Sequence, residues 1–130
     1  MTTLSLDLAQ ELQSVCKEKN IEMPESWWLF CDMGDEVKTI SSEAIEDTSL
    51  EGRVIAPAFL LDELLEWLPS KMKDKYGTYM LQVTKIDEGY DVGYNKDYAD
   101  CPAFATYWDL TNPCDACGKL LIWLIKENLL

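Results

Sequence analysis

The sequence predicts an α+β fold in which a helix, a three-stranded antiparallel sheet and a second helix form a sandwich, with an extra N-terminal helix. Three observations support this prediction. Apolar residues recur at helical spacing in three stretches, and alternating strands joined by a turn lie between the last two of them. The 130 residues are 48% hydrophobic and 27% charged, a composition typical of a folded domain.

Three helices are predicted from apolar periodicity and from residues that favour helix ends. The first covers about residues 6–19, where the apolar side chains form one stripe. The second covers about residues 58–68, with Pro57 expected at its first position. The third covers about residues 112–128, and Asn112 is expected to cap it.

Three strands are predicted between the second and third helices. Polar and apolar residues alternate over residues 78–85 and again over 90–94, and the intervening residues 87–89 have the composition of a hairpin turn. A third short strand is expected over residues 103–108. Sequential strands joined by short connections favour an antiparallel sheet.

The chain is interpreted as one domain over residues 1–130. It divides into an N-terminal helix (1–20), an irregular acidic segment (21–56) and an αβββα unit (57–128). The first residues lack the basic and apolar regions of a signal peptide, and no apolar run reaches the ~20 residues that a bilayer requires. We therefore expect a cytoplasmic protein without a membrane partner.

Charge is the most unusual property of the chain. Asp and Glu number 24 against 11 Lys and Arg, which gives a net charge of −13, and residues 21–66 alone carry −10. Nucleic acids and anionic lipids are bound mainly through Lys and Arg, and Arg53 is the only arginine. The composition therefore argues against direct binding of nucleic acid and favours a basic protein surface as partner.

The residue types also limit the chemistry. The chain has no histidine, which excludes Ser-His-Asp and Cys-His catalysis, and we predict no catalytic residue and no cofactor. Cys114 and Cys117 form a C-x-x-C at a helix start, where the helix dipole favours a thiolate. They are interpreted as packing residues, as a redox pair, or as zinc ligands together with Cys101 and Cys31.

Two segments resemble a known group of proteins. Residues 55–69 (IAPAFLLDELLEWLP) and 104–125 (FATYWDLTNPCDACGKLLIWLI) are similar to small phage and prophage proteins, which are loosely similar to the phage ABA-sandwich domain. The resemblance covers about residues 53–128. It implies helices packed on a short antiparallel sheet and an accessory protein of a mobile element in a bacterial host cell, and it carries no catalytic residues.

The leading hypothesis is a non-enzymatic acidic interaction protein that binds a basic host or phage protein, as a nucleic-acid mimic or an inhibitor of a host defence protein. The alternatives are a zinc-stabilised or thiol-active protein and a structural protein that self-associates as a homodimer. Trp123 is expected on the polar face of the last helix, as an interface anchor or covered by the N-terminal helix or the acidic segment. The predicted partner-binding residues are Glu22, Glu25, Trp27, Trp28, Asp32, Asp35, Glu36, Glu43, Glu46, Asp47, Asp62, Glu63, Glu66 and Trp123.

Overall fold

A computed structural model of the chain describes residues 3–24, 27–31, 37–43, 54–75, 77–87, 89–95, 105–109 and 112–130. The elements are α1 (Leu6–Glu18), β1 (Trp27–Cys31), β2 (Val37–Ser41), β3 (Val54–Pro57), α2 (Leu61–Trp67), β4 (Lys71–Asp74), β5 (Gly77–Ile86), β6 (Gly89–Asn95), β7 (Ala105–Asp109) and α3 (Pro113–Lys126). The predicted α+β class is confirmed. The strands nevertheless form two sheets where one was expected.

The first sheet lies in the segment that was predicted to be irregular, residues 21–56, and that prediction is wrong. The sheet has the order β2-β1-β3, and both pairs of strands are antiparallel. Each strand has only four or five residues, so none contains a long alternating pattern, and the sheet depends on pairing between distant residues. Pro57 ends β3 and does not begin α2, whose N-cap is Leu60.

The second sheet contains the three predicted strands and one more. Its order is β4-β5-β6-β7, with every neighbouring pair antiparallel. The pairing of Ile86 with Gly89 closes the predicted hairpin between β5 and β6. The additional strand, β4, pairs Lys71 with Met80 and Asp74 with Gly77, and so extends the sheet at one edge.

The α3 helix links the second sheet to the two other helices. It packs on β6 and β7 and also contacts α1 and α2. Its apolar seam of Cys114, Cys117, Leu121 and Leu124 is buried, as are neighbouring residues on both sides of it. The largest fully buried side chains include Leu4, Leu12, Phe59, Leu64, Val92, Tyr94, Leu120, Leu121, Leu124 and Ile125.

The N-terminal residues of the described chain meet the start of α3. Asn112 Oδ1 accepts a hydrogen bond of 2.9 Å from the Cys114 N–H, which confirms Asn112 as the predicted cap. Asn112 Nδ2 donates to the Thr3 carbonyl at 2.9 Å, and Leu4 N–H donates to the Phe59 carbonyl at 3.0 Å. Among the described helices, none has the length and apolar character needed to cross a membrane.

Candidate partner-binding site

The predicted partner-binding residues are distributed over several parts of the structure. Glu25, Asp32, Asp35, Glu36, Glu46 and Asp47 lie outside the described residues. Two of the others, Glu43 and Asp62, are exposed, and neither belongs to the cleft that Glu22, Glu63 and Glu66 line. The structure brings three predicted carboxylates together, and they define one candidate site.

This site, the acidic cleft, is lined by Glu22, Pro24, Glu63, Glu66 and Trp67. The α2 helix supplies three of these residues, which share one face because they are separated by three and four positions. The other two follow α1. That helix ends at Glu18, the positive φ of 56° at Asn20 turns the chain, and the Ile21 N–H donates to the Cys16 carbonyl at 2.8 Å. The helix end therefore directs the next residues towards α2.

Trp67 forms a fixed aromatic wall of the acidic cleft. The indole is partly buried, and its ring lies 6.2 Å from that of the fully buried Phe59, at an interplanar angle of 38°. Glu63 is also held in place, because its Oε1 accepts a 3.0 Å hydrogen bond from the Leu60 N–H at the start of α2. One wall of the site is thus built on an ordered helix, while Glu22 and Pro24 come from the segment that follows α1.

The charge of the acidic cleft is uniform. Glu22 and Glu66 are exposed, and the described residues that line the cleft include neither lysine nor arginine. Carboxylates form charge-assisted hydrogen bonds with ammonium and guanidinium groups, and an indole face attracts the same cations. The arrangement is therefore suited to a cationic side chain.

The aromatic candidates on β1 do not line this cleft. Trp27 and Trp28 are both partly buried, and Trp27 packs against the hydrophobic core. Trp28 Nε1 donates to Ser42 Oγ at 3.0 Å, a bond that fixes its ring against the end of β2. Both rings therefore support the fold in addition to any contact with a partner.

Trp123 lies beside the N-terminal helix. It is partly buried, and together with residues of α1 it borders a second depression, the α1–α3 groove. The interpretation in which the N-terminal helix covers Trp123 thus agrees with the geometry better than a fully exposed side chain. The groove is lined by Leu8, Glu11, Lys119, Ile122, Trp123 and Lys126.

The cysteines of the C-x-x-C are buried thiols. Burial raises the pKa of Cys117 to about 11, and it raises that of Cys114 to about 12 with further contributions from nearby Cys117, Asp115 and Asp62. The expectation that the helix start favours a thiolate is therefore wrong, because burial outweighs the hydrogen bond from the helix backbone.

The zinc hypothesis rested on four cysteines. Cys101 lies outside the described residues, as does the side chain of Cys31. Within the part of the chain that is described, no three or more Cys, Asp or Glu residues are placed to hold a metal ion. The complete burial of Cys114 and Cys117 favours their role as packing residues.

Sequence reasoning did not identify the acidic cleft as a unit. It named Glu22, Glu63 and Glu66 among many acids, but it did not name Pro24 and did not distinguish these three from the others. The chain contains no local signal for their proximity, since 40 residues separate Glu22 from Glu63. Comparison of the chain with protein-family models, curated proteins and solved structures finds no match. The resemblance to phage proteins stays a prediction.

Proposed function

We propose that the protein is a non-enzymatic interaction protein that binds a basic protein surface, and that the acidic cleft is the centre of its binding face. One observation carries the proposal: Glu22, Glu63 and Glu66 line one cleft with Trp67, and no lysine or arginine among the described residues lines it. The expected ligand group is a lysine or arginine side chain of the partner.

Two physical effects support this assignment. A cation over an indole gains about 0.5–1 kcal/mol at an exposed site and about 2 kcal/mol when water is excluded. The net charge of −13 adds a long-range attraction that raises the rate of encounter with cationic surfaces. The cleft therefore selects the side chain that is bound, and the net charge increases the rate at which the two proteins meet.

The proposal extends to the kind of partner. Basic protein surfaces that bind nucleic acid present rows of Lys and Arg to phosphates, and clustered carboxylates satisfy the same cations. We therefore propose that the protein acts as a nucleic-acid mimic, in the bacterial cytoplasm and as a phage or prophage accessory factor. Inhibition of the partner follows if the mimic occupies its nucleic-acid site.

The test uses a lysine- and arginine-rich peptide as probe and isothermal titration calorimetry as the measurement. The double variant Glu22→Gln/Glu66→Gln removes two charges from the cleft. Its control, Asp87→Asn/Glu127→Gln, removes two exposed negative charges elsewhere, so the control and the cleft variant have the same net charge. We expect the cleft variant to bind at least about tenfold more weakly, a loss of about 1.4 kcal/mol, while the control loses much less.

Equal losses in the two variants would show that the probe responds to net charge alone, and this result would contradict the assignment to the cleft. Absence of binding at both low and physiological salt would contradict the proposed function itself. A third variant, Trp67→Leu, keeps every charge and removes the aromatic face. It should bind several-fold more weakly, because the cation–π contribution is lost.

A further inference from the structure

The helices α1 and α3 lie side by side and run in the same direction. At their starts the Ser5 N–H donates to Asp115 Oδ1 at 2.7 Å, and at their ends Lys19 Nζ donates to Asn128 Oδ1 at 3.1 Å. Two parallel helices leave a furrow along their outer side. The α1–α3 groove is that furrow.

The size and chemistry of the groove suit protein side chains. Its volume is about 220 Å³, below the roughly 300–1,000 Å³ of most small-molecule pockets. Leu8, Ile122 and Trp123 give it an apolar floor, and its lining carries both signs of charge. Tryptophan in such a setting is a frequent anchor of protein interfaces.

The charges on the two sides of the groove are self-complementary. Glu11 Oε1 on α1 and Lys126 Nζ on α3 lie 3.0 Å apart, and both side chains are about half exposed, at 45% and 54%. A two-fold axis along the groove places each Lys126 opposite Glu11 of the partner subunit. The four groups then alternate in sign around a square, and Trp123 of each subunit covers the partner's apolar floor.

We propose that the α1–α3 groove is the interface of a two-fold symmetric homodimer. Two copies with a net charge of −13 repel each other, and the acidic cleft is unsuited to self-association. The groove, by contrast, carries two lysines and one glutamate, so each copy presents a locally positive surface to a partner whose overall charge is negative, and Glu11 and Lys126 pair across the axis. This inference does not depend on the proposed function, since it uses a different surface.

The experiment is sedimentation equilibrium over a wide range of protein concentrations at about physiological salt, where the Debye length is about 8 Å. The wild type is expected to dimerise. The single reversals Glu11→Lys and Lys126→Glu each place like charges opposite one another, and each should weaken dimerisation at least about tenfold. An equimolar mixture of the two variants restores opposite charges across the axis and should form a heterodimer.

Controls separate this result from misfolding and from the acidic cleft. Exposed ion pairs contribute little to stability, so both reversals should keep the wild-type circular dichroism spectrum. Glu22→Gln/Glu66→Gln should dimerise like the wild type, and Trp123→Ala should not dimerise. A wild type that stays monomeric at every concentration overturns the proposal, and so does a mixture of the reversals that forms no heterodimer.

Discussion

The start of α3 and the acidic cleft contain the same chemical group in opposite settings. Asp115 Oδ1 accepts hydrogen bonds of 2.7 Å from the Ser5 N–H and 3.3 Å from Asn112 Nδ2, next to fully buried thiols. Glu22 and Glu66 instead border an open depression. In the first region the carboxylate helps to hold the fold together, while in the second it is exposed to solvent.

This comparison shows that the role of a carboxylate depends on the donors around it. A buried or partly buried acid is retained where the protein itself supplies N–H groups. An exposed acid is hydrated, contributes little to stability and can exchange water for a partner's cation. Substitution of Asp115 should therefore lower the stability of the fold, whereas substitution of the exposed Glu22 and Glu66 should leave stability nearly unchanged and weaken only the proposed binding.

The largest effect is expected from alkaline pH. Unfolded Cys114 and Cys117 lose their protons near their ordinary pKa of 9.0, whereas the folded thiols keep theirs until about pH 12 and 11. The contribution of these two thiols to the free energy of unfolding is fully present below pH 9. It is lost as the pH rises through the pKa values of the folded thiols. Between pH 9 and 11 the free energy of unfolding should fall by about 1.4 kcal/mol per pH unit for each thiol.

Urea unfolding as a function of pH measures this slope. The variant Cys114→Ala/Cys117→Ala should show a flatter alkaline decline, because it lacks two of the groups responsible. A smaller slope should remain, since burial also raises the pKa of Cys16 to about 11 and the pKa of Tyr94 to about 12. The cleft variant Glu22→Gln/Glu66→Gln leaves both thiols in place and should retain the wild-type pH dependence. An equally steep decline in the cysteine variant would show that the start of α3 is not the source.

The next largest effect is expected at Gly118, in the middle of the buried part of α3. A Cβ added there would overlap Cδ1 of Leu4. Leu4 cannot easily move away, because the residue is only 1% exposed and its N–H donates a hydrogen bond to the Phe59 carbonyl. Gly118→Ala should therefore reduce stability by about 1–3 kcal/mol, although alanine favours helices. Chemical denaturation measures the change.

The variant Leu4→Ala tests the cause of this destabilisation. If the overlap is responsible, Gly118→Ala should cost much less in the Leu4→Ala background, since the obstructing atoms are gone. Ser14→Ala on the exposed side of α1 is the matched control and should change stability by less than about 0.5 kcal/mol. Additive losses at positions 4 and 118 would exclude direct contact as the cause.

The smallest effects are expected at the carboxylates of the two regions, Asp115 at the start of α3 and Glu66 in the acidic cleft. Asp115→Ala removes the acceptor of the Ser5 N–H and should cost about 1 kcal/mol in thermal or urea unfolding. Glu66→Ala should change stability by less than about 0.5 kcal/mol, because the side chain is exposed in the acidic cleft. A larger loss for Glu66→Ala than for Asp115→Ala would reverse the distinction between the regions.

Elements with strong local signals were predicted close to their observed limits. The α1 and α3 helices follow from apolar periodicity, and the Asn112 cap is recognisable from adjacent residues. The β5–β6 hairpin follows from two alternating strands and a short turn. Each of these signals lies within a few residues, so the chain expresses it without tertiary contacts.

The incorrect predictions have a common physical reason. The strands β1 to β4 are short, and their stability depends on pairing partners that local patterns do not identify. Pro57 illustrates the ambiguity, since a proline suits both a first helical position and the end of an edge strand. The prediction favoured the helix, whereas pairing of β3 with β1 selected the strand.

The amino-acid sequence alone determined the α+β class, the net charge of −13 and the absence of histidine. Tertiary structure decided which acids converge on Trp67 and which thiols lose contact with water. These properties arise between residues far apart in the chain. Charge and helical periodicity are carried by composition and neighbours, whereas proximity and burial exist only after the helices and sheets have packed together.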